Sequence, residues 1–190
     1  MAAITDEPLN NDEVTPRVSN ELVHPLAYRW TLYVWQSDVE KSWSDSITKQ
    51  VTFSTIEEFW ALNYRIIRPS QLNPGTDYMI FKEGINPMWE DPQNAQGGVW
   101  YIDVERQFKY TKSDRYWLEL MMALLGGQFD DFDESINGAI YNQRARGAKL
   151  CIWTRDAGSS ERHARLREML DTKLGLTMAD RLYFRKHSFT

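Results

Sequence analysis

The sequence is short of the residues that staple or metallate a fold. Cys151 is the one cysteine in 190 residues, so an internal disulfide is impossible and a thiolate zinc site has no ligand set. The three histidines, His24, His163 and His187, are scattered, and none has a partner at a metal-binding spacing such as H-x-x-x-H. No apolar run approaches the roughly 20 residues that a membrane span needs. Residues 1–20 have neither the basic start nor the apolar stretch of a signal peptide. The chain is therefore expected in the cytosol or nucleus, with no membrane partner. Phosphate loops and nucleophile elbows are also missing: there is no G-x-x-x-x-G-K-S/T, no G-x-G-x-x-G and no G-x-S-x-G. Arg167-Glu168 lacks the further glutamates that would hold magnesium and reads as a solvated helix face. The acidic run Asp130–Glu134 reads as an exposed loop. Catalysis is disfavoured and no cofactor or metal is expected.

Positive charge is scarce along most of the chain. The formal net charge is −5. Residues 1–23 set Asp6, Glu7, Asp12, Glu13 and Glu21 against Arg17, a balance of −4. Residues 24–143 carry −7, whereas residues 144–190 hold eleven Lys or Arg against five acids, a balance of +6. This excludes a long basic track along a duplex and allows a local anion site in the last third. Residues 1–23 have no aromatic side chain and contain Pro8 and Pro16. They read as a disordered acidic arm ahead of a folded domain over 24–190, which is long enough to bury one core.

Aromatic side chains are abundant: 13% of residues, with eight Trp. Trp30–Trp35 and Val51–Phe53 read as strands. Ser54-Thr55-Ile56-Glu57 reads as a capping box opening a helix to about Ile66, with Phe59, Leu62 and Ile66 on one face. Further strands are expected at Tyr78–Phe81, Val99–Val104, Ala139–Arg144, Lys149–Thr154 and Leu182–Phe184. Ser113 is expected to cap a helix over Arg115–Leu125, and Ser159 or Ser160 one that packs through Leu166, Met169, Leu170 and Leu174. Short turns join the strand pairs, so the fold class is α+β: one curved, mostly antiparallel sheet with three helices over one face.

Trp30, Trp100 and Trp117 lie in apolar patterns and read as core. Trp43 stands among Lys41, Ser42, Ser44 and Asp45, and Trp89 lies in a loop between Pro87 and Pro92. Two loop indoles can flank a slot for a flat ring. Stacking a base is worth about 1–3 kcal/mol, and a desolvated cationic ring adds up to roughly 2 kcal/mol of cation–π attraction. Glu90 accepts hydrogen bonds only, so beside such a ring it selects adjacent N–H donors, as on the N1 and N2 edge of guanine. Arg144, Arg146 and Lys149, along a strand and its turn, suit attached phosphates.

These residues fall within a wider pattern. Thr55-Ile56-Glu57-Glu58-Phe59-Trp60-Ala61-Leu62, Pro74-Gly75-x-Asp77-Tyr78, Phe81-Lys82-x-Gly84-Ile85-x-Pro87-Met88-Trp89-Glu90-Asp91, Gly97-Gly98-x-Trp100, Arg115-x-Trp117-Leu118-Glu119 and Asn142-x-Arg144-Ala145-Arg146-Gly147-x-Lys149 together resemble the eukaryotic initiation factor 4E family of messenger-RNA cap-binding proteins. The similarity runs from about His24 to Lys186. It implies helices on the convex face and a cap slot on the concave side. There Trp43 and Trp89 sandwich 7-methylguanine, Glu90 reads its edge, Trp153 touches the methyl group, and Arg144, Lys149 and Arg146 meet the phosphates. It further implies a convex surface of His24, Pro25, Ile56, Trp60, Leu118, Glu119, Met122 and Gly126 that receives a helix from scaffold initiation factor 4G or from 4E-binding repressors. Trp60 is expected to face outward because Phe59, Leu62 and Ile66 fill the inner stripe. The implied function is recruitment of messenger RNA to the ribosome. The rival is a cap-binding repressor or isoform that does not engage the scaffold. One departure from the family pattern touches the phosphates: the usual basic residue after Gly97-Gly98 is Val99 here.

Overall fold

The computed structural model describes residues 22–187, so the expected acidic arm lies outside the described residues except for Leu22 and Val23. In chain order the elements are β1 (Pro25–Gln36), β2 (Ile47–Thr55), α1 (Ile56–Arg65), β3 (Thr76–Lys82), β4 (Gly98–Glu105), α2 (Lys109–Leu125), β5 (Ile136–Arg144), β6 (Gly147–Thr154), α3 (Ser160–Lys173) and β7 (Leu182–Lys186). The strands form one curved sheet in the order β2-β1-β3-β5-β6-β4-β7, and every neighbouring pair is antiparallel. The fold class is as expected from the sequence.

Side chains alternate between the two faces of a strand, and here the alternation separates two clusters. Trp30, Leu32, Tyr78, Ile80, Trp100, Ile102, Tyr141, Leu150 and Ile152 share the main core with Trp117, Leu120 and Leu124 of α2 and Leu166 and Leu170 of α3. Residues one position along from these, Met79, Phe81, Val99, Ile140 and Cys151, form a smaller cluster on the opposite face, flanked by Tyr33, Trp35, Tyr101 and Trp153. Trp30, Trp100 and Trp117 are all core, as their sequence context requires.

Two helix starts differ from the sequence reading. The box that opens α1 is Thr55 with Glu58: the Glu58 amide donates to Thr55 Oγ1 at 3.1 Å and the Thr55 amide to Glu58 Oε2 at 3.2 Å. Ser54–Glu57 has the same spacing, but Glu57 is drawn away by His24, whose Nδ1 lies 2.6 Å from its carboxylate. The hydrogen bond from His24 holds that carboxyl down at about 2. Helix α2 begins at Lys109, running on from a 3-10 turn at Arg106–Phe108. Ser113 is therefore inside the helix, where the Tyr141 hydroxyl donates to its Oγ at 2.9 Å. The first turn of α2 is polar and exposed, so apolar periodicity gives no sign of it. On α3 the cap is Ser159, accepting from the Arg162 amide.

Asp180 ties the segment before β7 to α2. Its carboxylate accepts from Lys112 Nζ at 2.6 Å, the Tyr116 hydroxyl at 2.9 Å and the Thr177 hydroxyl at 2.6 Å. Burial alone would raise the Asp180 carboxyl, but these donors outweigh it and hold it well below the usual carboxylate range. A carboxylate depressed on folding stabilises fully above its unfolded pKa, near 4, and loses that contribution as the pH falls further. Asp180→Asn is thus expected to destabilise the chain by about 1–3 kcal/mol at pH 7. Denaturant melts should show the gap narrowing below about pH 4; a gap independent of pH would contradict this account.

Candidate ligand site on the concave face

The pairing register assembles this face row by row. One row crosses the sheet as Trp35, Asp77, Asn142, Lys149 and Asp103; the next as Tyr33, Met79, Ile140, Cys151, Tyr101 and Tyr183; a third as Phe81, Gly138, Trp153, Val99 and Arg185. Directly opposed residues of an antiparallel pair share a face. Together with Trp43 and Trp89 from the loops, the inner members of these rows, from Asp77, Asn142 and Lys149 across Met79, Ile140, Cys151 and Tyr101 to Trp153, Val99 and Arg185, line a cavity of about 450 Å³ that also takes in Arg144, Lys186 and His187. Its floor is apolar and its cations are Arg144, Lys149, Arg185 and Lys186.

The two rim tryptophans are held differently. Trp89 is 37% exposed and lies within a segment knitted together by buried polar groups. Asp91 accepts from the Asn86 and Gln93 amides at 2.8 and 2.9 Å, and Asn94 donates to the Asn86 and Met88 carbonyls at 2.9 and 2.8 Å. Asn137 on β5 anchors the segment to the sheet by donating to the Gln93 carbonyl at 2.7 Å. Trp43 is 43% exposed and sits before a 3-10 turn, Ser44–Ser46. Trp35 Nε1 donates to the Trp43 carbonyl at 3.1 Å, which ties this loop to β1.

Arg144 presents two guanidinium nitrogens to Asp77, with Nη2 donating to Oδ2 at 3.0 Å, and lies 5.2 Å from the Trp35 ring centre. Asn142 also donates to Asp77 Oδ2, at 2.8 Å. Hydrogen bonding to Asp77 raises the Arg144 guanidinium further above its ordinary value, so its charge is permanent. Lys149 Nζ lies 3.3 Å from Asp103 and 4.1 Å from the Tyr101 ring centre. Burial pushes the Cys151 thiol up to about 12, and a thiol so raised is no nucleophile at neutral pH. His187 packs on Trp153, ring centres 4.3 Å apart, and burial lowers its imidazole.

The structure brings Trp43, Trp89, Trp153, Arg144 and Lys149 into one cavity. Glu90 is exposed beside Trp89 but is not among the lining residues. Arg146, in the β5–β6 turn, does not line this cavity but an adjoining cleft with Asp103 and Glu105 that shares Arg144 and Lys149 with it. Sequence reasoning missed Asp77, Asn142, Arg185 and His187. The alternation of β3 and β5 with Arg144 could have revealed Asp77, but nothing local marks Arg185.

On the helical side, the Ile56 amide donates to the His24 carbonyl at 3.0 Å, so His24, Pro25 and the start of α1 meet at one corner. Ile56 is exposed, and Trp60 is half-buried between Phe59 and the exposed Tyr64. Leu118, Glu119, Met122 and Gly126 follow one face of α2, with Met122 exposed. One Glu119 carboxylate oxygen lies 3.5 Å from Arg115; the other is buried with no hydrogen-bond partner among the described residues. The acidic run Asp130–Glu134 pairs with Arg162, Arg165 and Arg155. The described residues contain no group of three or more His, Cys, Asp or Glu able to hold a metal.

Comparison with known proteins supports the family and the fold. The sequence pattern of the family described as eukaryotic initiation factor 4E matches residues 25–190. The chain is 41% identical to translation initiation factor 4E-3 of Caenorhabditis elegans over 86% of its own length and 66% of the relative's. It is 35% identical to human translation initiation factor 4E, covering 97% of this chain and 85% of that one. Among solved structures, Ascaris suum initiation factor 4E-3 in complex with an m2,2,7G cap superposes with a TM-score of 0.85 at 39% identity, covering 89% of this chain and 94% of that one. Caenorhabditis elegans initiation factor 4E-3 with the 4E-binding protein Mextli gives 0.82 at 41% identity, covering 87% and 94%. With the family pattern spanning nearly all the described residues and the fold shared throughout, the chain belongs to the eukaryotic initiation factor 4E family.

Proposed function

We propose that this chain binds the 7-methylguanosine cap of messenger RNA on its concave face and recruits that RNA to the ribosome through a helix docked on its other side. The observation that carries the reading is the pairing of two exposed tryptophans with fixed cations around one cavity, in a family whose relatives have been solved with caps. In this reading Trp43 and Trp89 stack on either side of the base. Methylation at N7 makes the base cationic, so both indole faces attract it more than unmethylated guanine. Glu90, adjacent in sequence to Trp89, accepts from the N1 and N2 donors, and this contact requires it to turn into the slot. Trp153 meets the methyl group from the sheet. Arg144 and Lys149 take the phosphates, with Arg146 at the far edge beyond the cavity. The cap is bound and not cleaved; the family is a binding factor, not an enzyme.

The second surface is proposed for an amphipathic helix of scaffold factor 4G or of a 4E-binding repressor. Ile56, Trp60 and Met122 offer apolar contact to such a helix. Relatives solved with 4E-binding proteins support that assignment. The same reading puts the protein's work in the cytoplasm, with the nucleus as a second location.

Trp43→Ala or Glu90→Ala is expected to abolish retention on 7-methyl-GTP resin while leaving the thermal melt in place; full retention by either variant would remove that residue from the site. Trp60→Ala should lose a 4G-derived helix in a pull-down yet stay on the resin, and loss of resin binding first would mean the two surfaces are not separate. Trp35→Phe deletes the donor to the Trp43 carbonyl but keeps a ring under Arg144. Amide exchange over residues 42–46 should quicken, and 7-methyl-GTP affinity should fall about three- to tenfold, the worth of one hydrogen bond.

A further inference from the structure

β4 and β7 form the edge of the sheet that closes the concave cavity, and their register puts Val99 directly opposite Arg185. Opposed residues in an antiparallel pair project on the same face, with Cβ atoms about 4.5–5.5 Å apart. The cation missing from β4 at Val99 is thus matched by one on the neighbouring strand. Packing on both faces fixes the position of β7. Phe184 packs on Trp100 and His163, ring centres 5.1 and 4.1 Å away, while Tyr183 stacks on Tyr101 at 5.3 Å with planes 25° apart. The His187 amide donates to the Gly97 carbonyl at 3.0 Å and ties the end of the strand.

Arg185 lines the same cavity as Arg144 and Lys149. Those two are partly neutralised by Asp77 and Asp103. Among the described residues no carboxylate lies within 4.0 Å of an Arg185 nitrogen, in contrast to Arg144 and Lys149. The Arg185 charge also reaches the cavity floor: burial dominates at both groups, raising the Cys151 thiol and lowering the His187 imidazole, while Arg185 acts to lower both. A phosphate chain carries several negative charges and presents oxygens to a guanidinium fork in pairs.

We propose that Arg185 is a phosphate-binding residue of the cap site, supplying from β7 the cation that β4 lacks at Val99. The inference rests on the cap reading above and adds a residue that the sequence motifs do not mark.

The test uses the full chain and its own tryptophan fluorescence, titrated with 7-methylguanosine and with its mono-, di- and triphosphate. Arg185→Gln is expected to weaken 7-methyl-GTP binding about tenfold, the size of one charge-assisted contact, and to leave the phosphate-free nucleoside unchanged. The slope of log affinity against log salt should flatten by about 1. Arg185→Lys, which keeps the charge and loses the fork, should recover part of the loss. Wild-type affinity for 7-methyl-GTP in Arg185→Gln would overturn the proposal, as would equal losses for nucleoside and triphosphate. A wild-type chain that fails to prefer 7-methyl-GTP over GTP would instead overturn the cap reading, and this inference with it.

Discussion

The whole arrangement depends on register in the four strands β3, β5, β6 and β4. A slip of one residue in any of them would exchange that strand's two faces; in β6 it would send Trp153 and Lys149 into the helical core and Ile152 and Leu150 to the surface, and in β5 it would exchange Asn142 with Tyr141. The main core prevents that slip. Trp100, Tyr141 and Ile152 are buried under α2 and α3, and moving them into water would cost about 1.5–3 kcal/mol each. The helices therefore stabilise the fold and also fix the geometry of a cavity on the opposite side of the sheet.

Within that frame the site combines rigid and adjustable parts. The Trp89 segment is cross-linked by Asp91, Asn94 and Asn137, all buried and hydrogen-bonded. Trp43 is tethered through its carbonyl by the Trp35 side chain. An aromatic pair with one fixed and one loosely held member can close on a flat ligand without rebuilding the sheet. The buried Asp77 carboxylate is balanced by Arg144 and Asn142, so a charge that would be costly alone becomes a device for aiming a guanidinium.

Much of this was legible in the residues. Trp43 and Trp89 stand in polar or proline-bounded loops, so their exposure follows from their neighbours, and both do reach the cavity. Trp30, Trp100 and Trp117 follow apolar periodicity into the core. The slip from Ser54–Glu57 to Thr55–Glu58 arose because two boxes overlap at the same spacing, and a residue 33 positions away, His24, decides between them. Ser113 reads as a cap from its neighbours alone, because the partner that holds it inside the helix, Tyr141, is on a distant strand. Arg185 escaped notice for a related reason: its role depends on which strand lies beside β4, and that is a property of topology.

The central claim is that the concave cavity recognises a positively charged purine. Quenching of the intrinsic tryptophan fluorescence of the unmodified chain, titrated with 7-methyl-GTP and with GTP under identical salt, tests it most directly. The account predicts saturable quenching by the methylated nucleotide at concentrations at least tenfold below those needed for GTP, the difference that roughly 1.4 kcal/mol of added cation–π attraction would produce. Superimposable titrations with the two nucleotides would contradict it.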